Sequence, residues 1–192
     1  ELHQIREAKI SVELHLADTL TCLGYCHDAK LKEFEKALMA YRESLSLYIR
    51  HVGRFHRMVS NALHNMGAIH IELRQWKEAA TCYRQCLAIV RRKEEQERAD
   101  WSQAGHHTGD MVENKQLLKP FVSSVNEDIS STLQCLGTSL AELGEYDASI
   151  ASFQEVIDRL DCPAETDEKL LTPPNANVGE VMSQMASVHL KE

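Results

Sequence analysis

The residues with the widest chemical repertoire here are two pairs of cysteines. Cys22 and Cys26, and likewise Cys82 and Cys86, stand four residues apart, the spacing that puts two thiols on one face of a helix. Two such pairs could supply the four ligands of a tetrahedral zinc site. However, they fall on different periodic segments and on opposite members of a helix pair, and Cys86 sits where a small packing residue is expected. Free cysteine behaves as a small hydrophobe, so packing is the reading for all four, with no metal and no cofactor. Five of the six cysteines, all but Cys162, are expected at semi-buried helical positions. That usage fits the cytoplasm or another reducing compartment better than a disulfide framework.

Ten histidines invite a second search. His27 and His70 each follow a glycine by three residues and read as packing histidines rather than pH sensors. His106 and His107 lack identifiable co-ligands. No Cys/His combination comes with a group to orient a base or with an oxyanion hole, and no P-loop, GxGxxG or HExxH motif occurs. The chain is therefore expected to be non-enzymatic, with no catalytic residue.

The elements that hold these residues recur. Aligned on glycine, three stretches share one pattern, with Gly24 and Gly67 43 residues apart and Gly137 a further 70 along. Ala186 fits the same slot in a shortened fourth copy. Self-similarity at such a period marks a stack of repeated units. Apolar residues precede each glycine at helical spacing: Leu16, Leu20 and Leu23; Val59, Leu63 and Met66; Ile129, Leu133 and Leu136. Glycine costs a helix interior about 1 kcal/mol relative to alanine, so its recurrence in one slot needs a packing reason. That reason is close approach by a second helix, expected to begin near Phe34, Trp76 or Tyr146. The second helix carries a small residue and then a ring four positions on: Ala37 and Tyr41, Ala79 and Tyr83, Ser149 and Phe153. Both lie on one face; the small residue admits the neighbouring backbone and the ring fills the space beside it. A generic helical bundle is the alternative, and recurrence in register three times speaks against it.

These residues identify the chain as resembling the tetratricopeptide repeat (TPR) proteins. Leu63, Met66, Gly67, Trp76, Ala79, Tyr83 and Leu87 match the repeat pattern, as do Leu133, Leu136, Gly137, Gly144, Tyr146, Phe153 and Ile157. The long period resembles that of kinesin light chains; Gly53 and His56 fit their inter-repeat junction, while Arg57 stands where proline is expected. The resemblance implies an all-α, TPR-type α-solenoid of antiparallel helix pairs wound as a right-handed superhelix. The expected organisation is 1–13, tail of a preceding repeat helix and linker; 14–52, first repeat; 53–99, second repeat with an extended second helix; 100–125, insert or loop; 126–162, third repeat; 163–176, loop; and 177–192, the first helix of a partial fourth. The chain reads as a segment of a longer array.

In such proteins the first helices line a concave groove, and that implies a binding surface here. Its candidates are Thr21 and Tyr25 from the first copy, Asn61, His64, Asn65, Ala68 and Glu72 from the second, and Gln134 and Thr138 from the third. Asn65 matches a groove asparagine that, in many members, hydrogen-bonds a bound peptide's backbone; an amide both donates and accepts. Plain solvation is the alternative role for each residue. Chaperone-tail and acidic-cargo recognition in the family use basic groove residues, and none of these positions is basic. The groove therefore suits a polar or basic protein segment.

Charge agrees. The net charge is −8, with residues 1–100 carrying 16 Lys and Arg against 14 Asp and Glu, and residues 101–192 carrying 5 against 15. Such an acidic second half repels phosphate backbones, so no nucleic-acid partner is expected. No apolar run approaches the ~20 residues of a bilayer span, so no membrane insertion is expected either. The leading function is a protein-interaction scaffold or adaptor. The alternative is a structural subunit fixed in a large assembly through the 101–125 insert, where Trp101 and Phe121 either anchor the loop or meet a partner, and through the open ends. Nothing in the sequence sets the oligomeric state.

Overall fold

Rings seated on glycines organise the helix pairs. A computed structural model of the chain describes residues 2–104, 111–161, 183–184 and 186–188; among these, six long α-helices follow one another and no strand occurs. They are α1 (Leu2–Tyr25), α2 (Phe34–Val52), α3 (Arg57–Glu72), α4 (Trp76–Ala104), α5 (Met111–Glu142) and α6 (Tyr146–Asp161). The chain divides into two compact units, Glu1–Glu97 and Arg98–Glu192.

Each second helix begins at the expected aromatic: Phe34, Trp76 and Tyr146. A Cβ placed on Gly24 would meet the Tyr41 ring at 2.9 Å, one on Gly67 the Tyr83 ring at 2.8 Å, and one on Gly137 the Phe153 ring at 2.9 Å. All three rings are buried, as are the small residues one turn earlier, Ala37, Ala79 and Ser149. The Ser149 hydroxyl also donates to the Gly137 carbonyl at 2.7 Å, satisfying a polar group that burial would otherwise make costly. In the first pair, Tyr41 meets Gly24, Tyr48 meets Asp18, and His51 meets Glu13. As α2 advances, its partners on α1 recede, which is antiparallel packing.

The turns between paired helices are equally repetitive. The residue just before each second helix donates its N–H to the carbonyl three positions after the glycine: Glu33 to His27 at 2.8 Å, Gln75 to His70 at 2.8 Å and Glu145 to Leu140 at 2.9 Å. The residue before that donor is left-handed in every copy: Lys32 and Arg74 at φ 56°, Gly144 at φ 80°. Only the third copy uses glycine, which takes this conformation without Cβ strain. In the first two, the cation lies 5.8 Å from the centre of the ring that opens the next helix, Lys32 over Phe34 and Arg74 over Trp76, a contact that offsets part of the strain. The first turn is one residue longer, ten from Gly24 to Phe34 against nine from Gly67 to Trp76. A π-helical turn at Cys26–Leu31 takes up the extra residue.

Between pairs, α2 ends at Gly53 (φ 86°), and the His56 side chain accepts from the Met58 N–H at 3.3 Å to cap α3. Met66 and Ile69 of α3 pack in one cluster with Leu38 and Tyr41 of α2 and Cys82 of α4.

Three features differ from the sequence expectation. First, α1 runs unbroken from Leu2 to Tyr25, through the end of 1–13, where a linker is expected. No glycine or proline occurs in 1–23 to stop it, and Glu13 is tied to His51 and Arg50 of α2. Second, the ends of the expected 100–125 loop are helical, since α4 continues to Ala104 and α5 begins at Met111; α4 is prolonged by charged side chains one turn apart, such as Lys93 and Glu97. His106 and His107 lie outside the described residues, as do Cys162 and the 163–176 connection. Third, Leu16 and Leu23 are 47% and 46% exposed, whereas their counterparts Val59 and Met66 are 2% and 7% exposed. α2 covers α3, and among the described residues nothing covers that side of α1. In the partial fourth copy Val188 is buried and Ala186 is exposed.

A glycine in an exposed helix gains about 1 kcal/mol on replacement by alanine, but overpacking a filled site costs about 1–3 kcal/mol. Gly67→Ala is accordingly expected to lower stability by about 1–2 kcal/mol in urea denaturation followed by circular dichroism. A more stable variant would show that the Tyr83 ring does not rest on this position.

Candidate partner-binding surface

At roughly 100° per residue, Asn65 lies about 160° around α3 from Gly67, almost opposite the face on which Tyr83 packs. Asn61, Asn65, Ala68 and Glu72 form a stripe on that outer side. Asn61 and Glu72 are exposed; Asn65 and Ala68 are half-buried. The pattern follows from the helix: Ala62, Leu63, Met66, Ile69 and His70 take the buried positions between them, leaving the polar positions outside. His64 sits at the margin, its ring edge-on to Tyr83 with centroids 5.3 Å apart. It is thereby held by the α3–α4 contact instead of standing free in the stripe.

On α1, Tyr25 is exposed, but Thr21 is part of the packing between α1 and α2. The Tyr48 hydroxyl donates to Asp18 Oδ1 at 2.7 Å and lies 3.3 Å from the Thr21 oxygen, while the Thr21 hydroxyl donates to the Ala17 carbonyl at 2.9 Å. Sequence spacing places Asp18 and Thr21 on the outer face but carries no sign that a tyrosine 27 residues after Thr21 reaches back to them. Gln134 and Thr138 belong to the second unit. Both are half-buried on α5, and the Thr138 hydroxyl donates to the Gln134 carbonyl at 3.0 Å. The structure thus brings the α1 and α3 candidates together in one unit.

The other titratable groups have structural work. His70 is buried with Nδ1 2.6 Å from Gln75 Oε1, and half-buried His27 makes the equivalent contact to Glu33 Oε2 at 2.7 Å. Both brace a turn between paired helices. Hydrogen bonds, first from Lys36 and then from His27, hold the Glu33 carboxyl below the usual carboxylate range. Cys82 and Cys86 are buried in α4, and burial pushes the Cys82 thiol up, which suits packing and not reactivity. Cys22 and Cys26 are exposed, contrary to the semi-buried expectation: the side of α1 carrying Cys22 is uncovered, and Cys26 lies in the π-turn. Among the described residues no three His, Cys, Asp or Glu side chains gather as a metal site, and no helix is long and apolar enough to cross a membrane.

A repeated helix pair closed by ring-on-glycine contacts, with a polar stripe on the outer side of its first helix, defines a helical-repeat protein. Residues 15–92 match the family model for the tetratricopeptide repeat. That segment is similar to the tetratricopeptide repeat, and the third glycine–ring pair, Gly137 and Phe153, has the same geometry as the two within it. Among solved structures, the crystal structure of BtubC (BKLC) from P. vanneervenii is similar, with a TM-score of 0.62 at 14% identity; the match covers 91% of this chain and 56% of that one. At that identity the likeness is one of fold, and this chain spans little more than half of the other's length. No curated protein matches.

Burial pushes the Tyr41 and Tyr48 hydroxyls up from 10.0 to about 12, and the Asp18 charge adds to the effect at Tyr48. Each ring is kept neutral by the fold. The stability this confers is fully present below pH 10 and is lost as pH rises through about 12. Ultraviolet titration should find Tyr41 and Tyr48 ionising late and together with loss of helicity, and Tyr48→Phe should remove one late-ionising group. Tyrosines that all ionise near 10 with helicity intact would contradict the packing of α1 on α2.

Proposed function

We propose that this chain is a protein-interaction scaffold that holds a polar or basic segment of a partner along the outer stripe of its first helices. The observation that carries this reading is the position of Asn65: a half-buried amide opposite the packing face, one helical turn from exposed Asn61. Such an amide can both donate to and accept from an extended backbone. Asp18 and Glu72 give the surface its charge, with no Lys or Arg at the mapped positions of α1 and α3, so a basic or neutral segment suits it better than an acidic one. Free thiols at Cys22, Cys26, Cys82, Cys86 and Cys135 agree with a reducing compartment such as the cytoplasm.

A second reading, a structural subunit of a larger assembly, draws on one observation. Ile5, Val12, Leu16 and Leu23 form an exposed apolar stripe along α1, and such patches mark contact surfaces.

Asn65→Ala is expected to weaken the binding of partners recovered by affinity capture about tenfold, the equivalent of roughly 1.4 kcal/mol for a lost buried hydrogen-bonding group, with unchanged helicity. If Asn65→Ala binds as well as the native chain, and Leu16→Asp with Leu23→Asp abolishes capture instead, the assembly reading replaces the groove reading.

A further inference from the structure

A second recessed surface lies on the other side of α3. Val59 is about 180° around the helix from Ala68, at roughly 100° per residue. There, Val59 and Leu63 form the floor of a trough of about 390 Å³. Leu45 and Ile49 of α2 make one wall, and Ala88 and Ile89 of α4 make the other. Phe55, from the connection between α2 and α3, also lines it. All these residues lie in the first unit. The trough exists because the α2–α3 connection carries an aromatic at Phe55 that is not absorbed into the core: Phe55 is 48% exposed and Ile49 is 43% exposed. Large apolar side chains left at the surface around a cavity are the usual mark of a docking site.

Its charge is one-sided. The Arg92 guanidinium lies 4.0 Å from the centre of the Phe55 ring, and Arg54 lines the trough beside it. Neither arginine has a carboxylate partner among the described residues, and no acidic residue lines the trough. The ring holds one face of the Arg92 guanidinium, while the edge of a guanidinium is where its N–H donors point. A guanidinium stacked on a ring in this way is ordered in advance for planar recognition of a carboxylate.

We propose that this trough docks an acidic segment of a partner protein, with a bulky apolar side chain set between the exposed Ile49 and Phe55 and a neighbouring Asp or Glu held by Arg54 and Arg92. The site is separate from the Asn65 stripe, and its ligand has the opposite charge preference. A peptide suits the trough better than an alkyl chain does. The walls leave Ile49 and Phe55 open to water, so an alkyl chain would stay wet along one side, whereas a peptide side chain is covered by its own backbone.

The test uses the full chain and a fluorescein-labelled peptide with a central Leu-Phe flanked by Asp and Glu, read by fluorescence anisotropy. A peptide with Lys in place of the acids and one with Gly in place of Leu-Phe serve as controls. The proposal expects saturable binding of the acidic apolar peptide alone, weakened at least about tenfold by Arg92→Glu or Phe55→Ala and by rising salt. Ile49→Asp should weaken it as well. All three residues are exposed, so circular dichroism of the variants should be native. Asn65→Ala should leave this binding unchanged, which separates failure here from failure of the groove reading. Equal binding of the Lys peptide, no saturation by the acidic one, or displacement of it by a medium-chain fatty acid in preference to unlabelled peptide would overturn the proposal.

Discussion

The fold depends on an aromatic ring lying on a residue with no side chain. Tyr41, Tyr83 and Phe153 each sit where a Cβ on the opposing glycine would come within 3 Å. Interiors are packed too closely to absorb such an overlap without displacing something. The contact therefore fixes the separation of two helices and also their register. Once Tyr83 is on Gly67, Ala79 falls one turn away against the same neighbour, and the turn must close over nine residues. The left-handed residue and the bond back to the carbonyl three positions after the glycine follow from that closure. That the same bond forms at Glu33, Gln75 and Glu145, around side chains as different as His27 and Leu140, argues that geometry and not side-chain chemistry dictates the turn.

The same constraint decides which residues are free to meet a partner. Gly67 commits one side of α3 to α4, and Met66 joins the cluster with Leu38 and Tyr41 of α2. What remains is the stripe through Asn61 and Asn65 on one side and, on the other, the rim of Ile49, Phe55 and Ala88 above the buried Val59 and Leu63. The first is polar and has no basic residue; the second is apolar and edged by arginines. Two surfaces of opposite preference around α3 would let one chain hold two partners without competition, as the proposed scaffold requires.

Most of the architecture was legible in the sequence because it rests on residue type at fixed spacing. Glycine, small residue and ring recur in register, so the start of each second helix could be placed at Phe34, Trp76 and Tyr146 before any coordinates. The boundaries of α1 were not legible. Residues 1–13 resemble the end of a second helix, yet nothing in them stops a helix, and the anchor that holds them, Glu13 to His51 and Arg50, depends on residues almost 40 positions away. The candidate stripe was legible as a face but not in its detail. Thr21 is engaged by Tyr48 and His64 by Tyr83, both long-range contacts with no local signature. The trough escaped the sequence reading for a related reason. Phe55 and Arg92 are 37 residues apart, and only folding sets one on the other.

Ring currents offer the most direct measurement of the central contact. A glycine Hα held against the face of an aromatic ring resonates well upfield of its ordinary position, and its shift depends steeply on the distance between them. The account predicts three glycines with upfield Hα resonances, Gly24, Gly67 and Gly137, each with nuclear Overhauser contacts to its own ring, while Gly53 and Gly144, which have open space around them, resonate normally. Ordinary shifts at all five glycines, or contacts from those three to anything other than Tyr41, Tyr83 and Phe153, would contradict it.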